Sequence, residues 1–206
     1  MIQESLTITD GAAGLRALVG RAVGLDASAS ARFSARDDDT VDVFVTTPFD
    51  VIASRRVLGT CSRDGAVVSA MDLLDALADE RSEIGAARDP NWLGALPPKD
   101  GFEEREVLPV SVVRDLADQG QSLARQFSGP LGPPKSLLDQ PVITINNDVE
   151  IPMRMIFACT SLGLIPGFST PLEIPRHLRV ATAGRWTRLD APFGSVYRST
   201  SLGLFV

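Results

Sequence analysis

The sequence predicts an α+β fold: two mostly antiparallel β-meanders, one near each end of the chain, packed with about four helices. Three observations carry that expectation. Apolar and polar residues alternate in short runs over 31–58 and again over 178–198, the period of half-buried strands. Those runs are joined by tight turns, which antiparallel neighbours allow and parallel ones do not. Helical 3–4 spacing sits in separate blocks instead of between successive strands, which argues against an alternating α/β architecture.

The elements follow in order. Asp10-Gly11 opens a helix to about Val23, with Leu15, Leu18, Val19 and Ala22 on one face. Ala31, Phe33 and Ala35 then alternate with Arg32, Ser34 and Arg36, and Asp37-Asp38-Asp39 makes a turn. Val41, Val43 and Val45 alternate again, Pro48-Phe49-Asp50 breaks the run, and Val51 to Leu58 continues the meander. A turn at Ser62-Arg63-Asp64-Gly65 leads to a short strand at 66–68. Ser69 is placed to cap a helix to about Arg81, with Asp72 three residues on completing a capping box.

Residues 85–107 form the loosest stretch, with Gly85, Pro90, Gly94, Pro97-Pro98 and Asp100-Gly101. Pro109 suits the first turn of a helix to about Phe127, whose expected face is Val113, Leu116, Gly120, Leu123 and Phe127. Gly129 to Pro134 is a stiff connector, and Pro141 to Ile145 reads as a strand. Pro152 starts a helix to Leu162 that is apolar on nearly every side and is therefore expected at the centre. Three strands close the chain at 178–181, 185–189 and 195–198.

Both ends share an order: helix, loop, strand, turn, strand, Pro-Phe turn, strand. Thr47-Pro48-Phe49-Asp50 corresponds to Ala191-Pro192-Phe193-Gly194. A weak pseudo-repeat and the ordinary reuse of turn residues in meanders both account for this. The chain reads as one compact domain over 1–206, with 85–107 as the place where a subdivision would fall.

Composition narrows the function classes. A net charge of −6 argues against nucleic-acid binding, which needs cations in excess, and against adhesion to anionic membranes. The start has no basic and apolar leader pattern, and the longest apolar stretch, 155–165, is about half the roughly 20 residues a spanning helix needs. Two cysteines cannot build a disulfide framework. The expectation is a cytoplasmic protein, outside any membrane.

The inventory of reactive residues is nearly empty. His177 is the one histidine, with no Cys or Asp beside it, so the three or four ligands of a transition-metal site are not there and no cofactor is expected. Cys61 lies near Arg63, which can favour a thiolate, but no base is close in sequence; Cys159 falls in the apolar helix and reads as packing. The acidic groups 37–39 and 103–104 fall in turns or loops and read as solvated, while Asp148 and Glu150 suit the dipole of the helix that follows. Glycine pairs at 11–14 and 129–132 lack the Lys-Ser/Thr of a phosphate loop, and Gly167-Phe168-Ser169-Thr170 lacks the second glycine of a nucleophile elbow. No catalytic residue is assigned.

Three features keep some tension. Arg154 on the apolar helix either snorkels to the surface or has a carboxylate, carbonyl or ligand partner. Trp92 is a large aromatic in a loop and either tucks onto the core or anchors an interface. Along Arg185-Trp186-Thr187-Arg188, Arg185 and Thr187 share one face of a strand and Trp186 and Arg188 the other.

Trp92-Leu93-Gly94-Ala95-Leu96-Pro97-Pro98, Ser136-Leu137-Leu138-Asp139-Gln140, Gly184 to Leu189 and Gly194-Ser195-Val196-Tyr197 resemble an uncharacterised family of actinobacterial proteins. The resemblance spans nearly the whole chain and implies no activity, cofactor or catalytic residue.

Two function classes remain. The first is a non-enzymatic protein that binds another protein or itself, as a homodimer, through Trp92 and the apolar tail Leu204, Phe205 and Val206. The second is a small-molecule binder or metal-independent enzyme with Arg154, Arg179 and Arg185 as anion ligands in a cleft.

Overall fold

In a computed structural model, residues 2–37, 39–127 and 133–200 are described. Two compact units divide them: Met1–Pro48 with Ile52–Lys99, and Phe49–Val51 with the chain from Asp100 onward. Among the described residues the architecture is α+β, with mostly antiparallel strand pairing and five α-helices.

In the first unit, β1 (Gln3–Asp10) precedes α1 (Ala12–Leu25), and the meander follows as β2 (Ser30–Ala35), β3 (Thr40–Thr46) and β4 (Ile52–Cys61). Then come β5 (Val67–Ser69), α2 (Ala70–Ala78), β6 (Glu83–Ala86) and a 3-10 turn at Asp89–Asn91. The pairing order is β6-β1-β4-β3-β2-β5, every pair antiparallel. Leu15, Leu18, Val19 and Ala22 of α1 are buried, as their spacing demands.

β1 was not foreseen. Its inward residues are Glu4 and Leu6, and a carboxylate in an inward position erases the apolar alternation. Glu4 is 2% exposed because Ser62 Oγ donates to it at 2.5 Å and Arg63 at 2.7 Å; Arg63 also reaches Asp89. That cluster ties β1 to the β4–β5 turn and the 3-10 turn with charge-assisted bonds. Gly59 permits the β1–β4 approach: a Cβ there would lie 2.0 Å from the Thr7 carbonyl.

The expected capping box on α2 does not form. Ser69 makes no side-chain cap bond; it is the last residue of β5, opposite Ser30. Asp72 instead pairs with Arg88 at 3.5 Å.

In the second unit, β7 (Glu103–Pro109) leads into α3 (Val110–Phe127). After α4 (Lys135–Asp139), a hairpin of β8 (Pro141–Ile145) and β9 (Val149–Pro152) precedes α5 (Met153–Ser161). The second meander is β10 (His177–Ala183), β11 (Trp186–Ala191) and β12 (Gly194–Ser199), with β7 on the outer side of β10. Thus α1-β2-β3-β4 and α5-β10-β11-β12 repeat one order, each with a Pro-Phe turn before its last strand.

α5 is as central as its composition requires: Met153 to Cys159 are all buried, Ile156 and Cys159 at 0% exposure. The face of α3 is shifted from expectation, keeping Val113 and Gly120 but not Leu123. Val113, Ala117, Gly120 and Ala124 point inward, whereas Leu123 is 40% exposed. A Cβ at Gly120 would meet Met153 at 2.7 Å and Phe157 at 2.9 Å, so small residues let α5 come close.

Asp148 and Glu150 are not helix-dipole partners. The chain reverses at Asn146 and Asn147, both with positive φ, and Glu150 lies on β9. β7 lies where the sequence predicts a loop: four of its seven residues are charged and six are exposed, as on edge strands. No helix among the described residues is long and apolar enough to cross a membrane.

Candidate functional site

The second unit contains an ordered loop between α5 and β10 that presents apolar side chains to solvent. Phe168 is 87% exposed and Leu172 91%. The loop leaves α5 through Gly163, whose φ of 62° suits a helix exit, and Leu164 beyond it is buried. It returns at Arg176, whose carbonyl accepts from Val110 N–H at 3.0 Å.

Two arginines hold the loop by its carbonyls. Arg176 donates to Gly167 O at 2.9 Å and to Thr170 O at 2.8 Å. Arg114 of α3 donates to Pro166 O and places its guanidinium 4.2 Å from the centre of the Phe168 ring. A guanidinium presents several rigidly held donors, so each arginine fixes backbone that has no strand or helix partner. The cation–π contact adds about 0.5–1 kcal/mol at an exposed site. Phe168 and Leu172 are therefore displayed, not merely uncovered.

Arg154 is 4% exposed. Its guanidinium donates to Asp139, to Asp50 at 3.1 Å and to the Phe49 carbonyl, beside the Phe49–Phe157 ring contact at 6.2 Å. Arg154 therefore does not snorkel to the surface; it is buried against two carboxylates and a carbonyl. The guanidinium beside Asp139 holds that carboxyl below its ordinary range.

Arg179 lies on β10, exposed, 3.6 Å from Glu104. Arg185 precedes β11 and opens on a cleft of about 280 Å³ that Arg105 and Arg198 also line. Arg154 and Arg179 do not line it, so the three arginines singled out in the sequence are not gathered in one site.

Trp92 belongs to the first unit, 9% exposed, with the Arg32 guanidinium 5.9 Å from its ring centre. Its neighbour Leu93 is 97% exposed. Leu204, Phe205 and Val206 lie outside the described residues, as do Asp38 and most of the connector at 128–132.

Neither thiol is activated. Burial raises the Cys61 pKa, and Sγ donates to the Arg63 carbonyl at 3.6 Å. Burial pushes Cys159 up to about 12. Among the described residues, no three His, Cys, Asp or Glu side chains gather as a metal would require.

Phe168 and Leu172 escaped the sequence reading because a loop residue has no period to judge it by. The available signal was two large apolar residues within a run of Gly, Pro, Ser and Thr, where polar residues are the norm.

Solved structures of similar fold include proteins described as DNA polymerase III beta subunits and sliding clamps. They include the pol III beta protein of Caulobacter crescentus, at 11% identity and TM-score 0.58 over 98% of this chain. The DNA polymerase sliding clamp of Bacillus subtilis matches 100% of the chain at 8% identity and TM-score 0.57. The sliding clamp of Bartonella birtlesii matches 98% at 13% identity and TM-score 0.57. In each case this chain spans 66% of the other's length. At these identities the likeness is one of fold. A search of curated proteins finds no match. The family model described as Domain of unknown function (DUF8010) matches residues 1–94. The model described as Domain of unknown function (DUF8185) matches residues 97–203, more than half of the sequence, and the chain belongs to that family.

Proposed function

We propose that this chain is a cytoplasmic, non-enzymatic docking protein that associates with a second copy of itself through the loop bearing Phe168 and Leu172. The observation that carries this reading is the near-complete exposure of both side chains on a loop whose backbone Arg114 and Arg176 pin. Holding two large apolar groups in water serves no folding purpose and suits an interface. The fold supports it: the proteins it resembles are named as clamps and subunits of a DNA polymerase, which are parts of an assembly. DNA itself is a poor partner for a chain of charge −6.

Magnitudes set the expected strength. Burying Phe168 and Leu172 yields roughly 1.5–3 kcal/mol for each side chain. Association costs about 4–15 kcal/mol in lost freedom, so two such residues per copy give a weak, concentration-dependent dimer. A two-fold arrangement doubles each contact and is the commonest closed symmetry.

Sedimentation velocity across a concentration series tests this. Wild type should shift from monomer to dimer at micromolar concentrations and above, and the Phe168→Ser/Leu172→Ser double variant should remain monomeric. A wild-type monomer throughout the series rejects self-association. An unchanged dimer in the double variant moves the interface elsewhere.

A further inference from the structure

The cleft on the second unit has charged walls that internal pairing leaves incomplete. Strand register builds one wall. Thr182 of β10 stands opposite Thr187 of β11, and Thr187 opposite Arg198 of β12, so the three share one face of the sheet. Arg185, in the turn between β10 and β11, lines the cleft beside them. Arg188 takes the opposite face, its guanidinium 4.2 Å from the Phe102 ring centre. Arg105 completes the wall, its Nε donating to Thr182 at 2.7 Å.

The other wall comes from the β8–β9 hairpin, which contributes Asp148 and Glu150. These carboxylates form no ion pair within 4.0 Å with Arg185 or Arg198 among the described residues. Asp139 feels the field of Arg198 without pairing with it. Elsewhere Arg36 and Arg56 meet Asp42, Arg63 meets Glu4, and Arg154 meets Asp139. The cleft of about 280 Å³ is therefore lined by arginines of the sheet and carboxylates of the hairpin, and of its arginines Arg105 pairs with Glu103 at 3.6 Å.

We propose that this cleft binds a small phosphomonoester that carries an ammonium group at its far end. The phosphate would lie against Arg185, Arg198 and the threonine hydroxyls, where charge-assisted, bidentate bonds are available. The ammonium would lie against Asp148 and Glu150. The volume is at the lower end for ligand sites, which favours a compact molecule. A nucleic-acid strand is disfavoured because its next phosphates would meet the carboxylate wall. The proposal is independent of self-association through the Phe168 loop.

Isothermal titration of the full chain with O-phosphoethanolamine, inorganic phosphate and a single-stranded oligothymidylate tests it. O-phosphoethanolamine should saturate the protein with a dissociation constant of about 1 mM or tighter, and inorganic phosphate should bind more weakly. Arg185→Ala/Arg198→Ala should weaken O-phosphoethanolamine about tenfold or more, since two charge-assisted contacts are removed. Glu150→Gln should weaken O-phosphoethanolamine but leave inorganic phosphate unchanged. Arg179→Ala, outside the cleft, should change neither. Circular dichroism confirms that each variant is folded. Absence of saturation overturns the proposal, as does unchanged affinity in the double arginine variant. Tighter binding of the oligothymidylate through the same arginines overturns it too, in favour of a nucleic-acid site.

Discussion

Arg154 illustrates how a single charge inside an apolar helix is accommodated. Its guanidinium reaches Asp139, Asp50 and the Phe49 carbonyl, while Asp50 is 79% exposed and Asp139 45%. The carboxylates keep part of their water, so the pair avoids the full desolvation cost of a buried bridge. Arg154→Met should lose about 2 kcal/mol, the worth of hydrogen bonds to charged groups. The pH dependence has a definite sign. Asp139 is held below its ordinary range, so its contribution is present above the unfolded carboxyl pKa of about 3.9 and is lost as pH falls towards the depressed folded value. The gap between wild type and Arg154→Met in urea midpoint should therefore narrow between neutral pH and pH 3. A gap that stays constant would show that Asp139 does not titrate against Arg154. That one arginine among apolar residues must either reach the surface or find a partner was legible; that it is buried was not. Its identity was not, because Phe49 and Asp50 are more than a hundred positions away in the chain.

At the scale of elements, two helix glycines should respond in opposite directions. Gly20 in α1 has ordinary space: a Cβ would stand 3.6 Å from Leu74. Gly20→Ala should stabilise by up to about 1 kcal/mol through helix propensity alone. Gly120 in α3 faces Met153 and Phe157 at under 3 Å, and the Phe157 ring cannot yield as a methionine tip can. Gly120→Leu should destabilise by about 1–3 kcal/mol through overpacking. Thermal unfolding of both variants decides the matter, and a stabilised Gly120→Leu would mean that α3 and α5 are not closely packed. The same contact shows why the face of α3 was misread. Large residues at Leu116 and Leu123 follow helical spacing, yet the close approach of α5 selects the neighbouring row of alanine and glycine. Strands in the two meanders were legible because Val41-Val43-Val45 and Leu178-Val180 alternate. β1 and β7 were not, since the inward Glu4 and the charged run at 103–106 carry no apolar period. The hairpin turn at Asn146-Asn147 did carry a signal, because asparagine tolerates positive φ, and it went unread beside the apolar helix.

At the scale of the whole molecule, the question is how a chain of charge −6 uses eighteen arginines. Many are engaged within the fold. Arg36 and Arg56 bind Asp42, Arg63 binds Glu4 and Asp89, and Arg188 binds Asp190. Arg114 and Arg176 bind loop carbonyls. Cations held in this way are poorly available to release counterions from a phosphate backbone, and the net charge adds a general repulsion. The likeness to polymerase clamps, at 8–13% identity, is one of fold, and the expectation for DNA rests on this chain's own charges. We expect a short linear duplex to bind more weakly than about 10⁻⁴ M at physiological salt, the weak end of non-specific DNA binding. Fluorescence anisotropy of a labelled duplex over a salt series measures this directly. Micromolar affinity with a steep salt slope would show instead that Arg185 and Arg198, which form no ion pair among the described residues, are part of a larger basic surface. That result would replace the small phosphomonoester with a phosphate backbone as the occupant of the cleft.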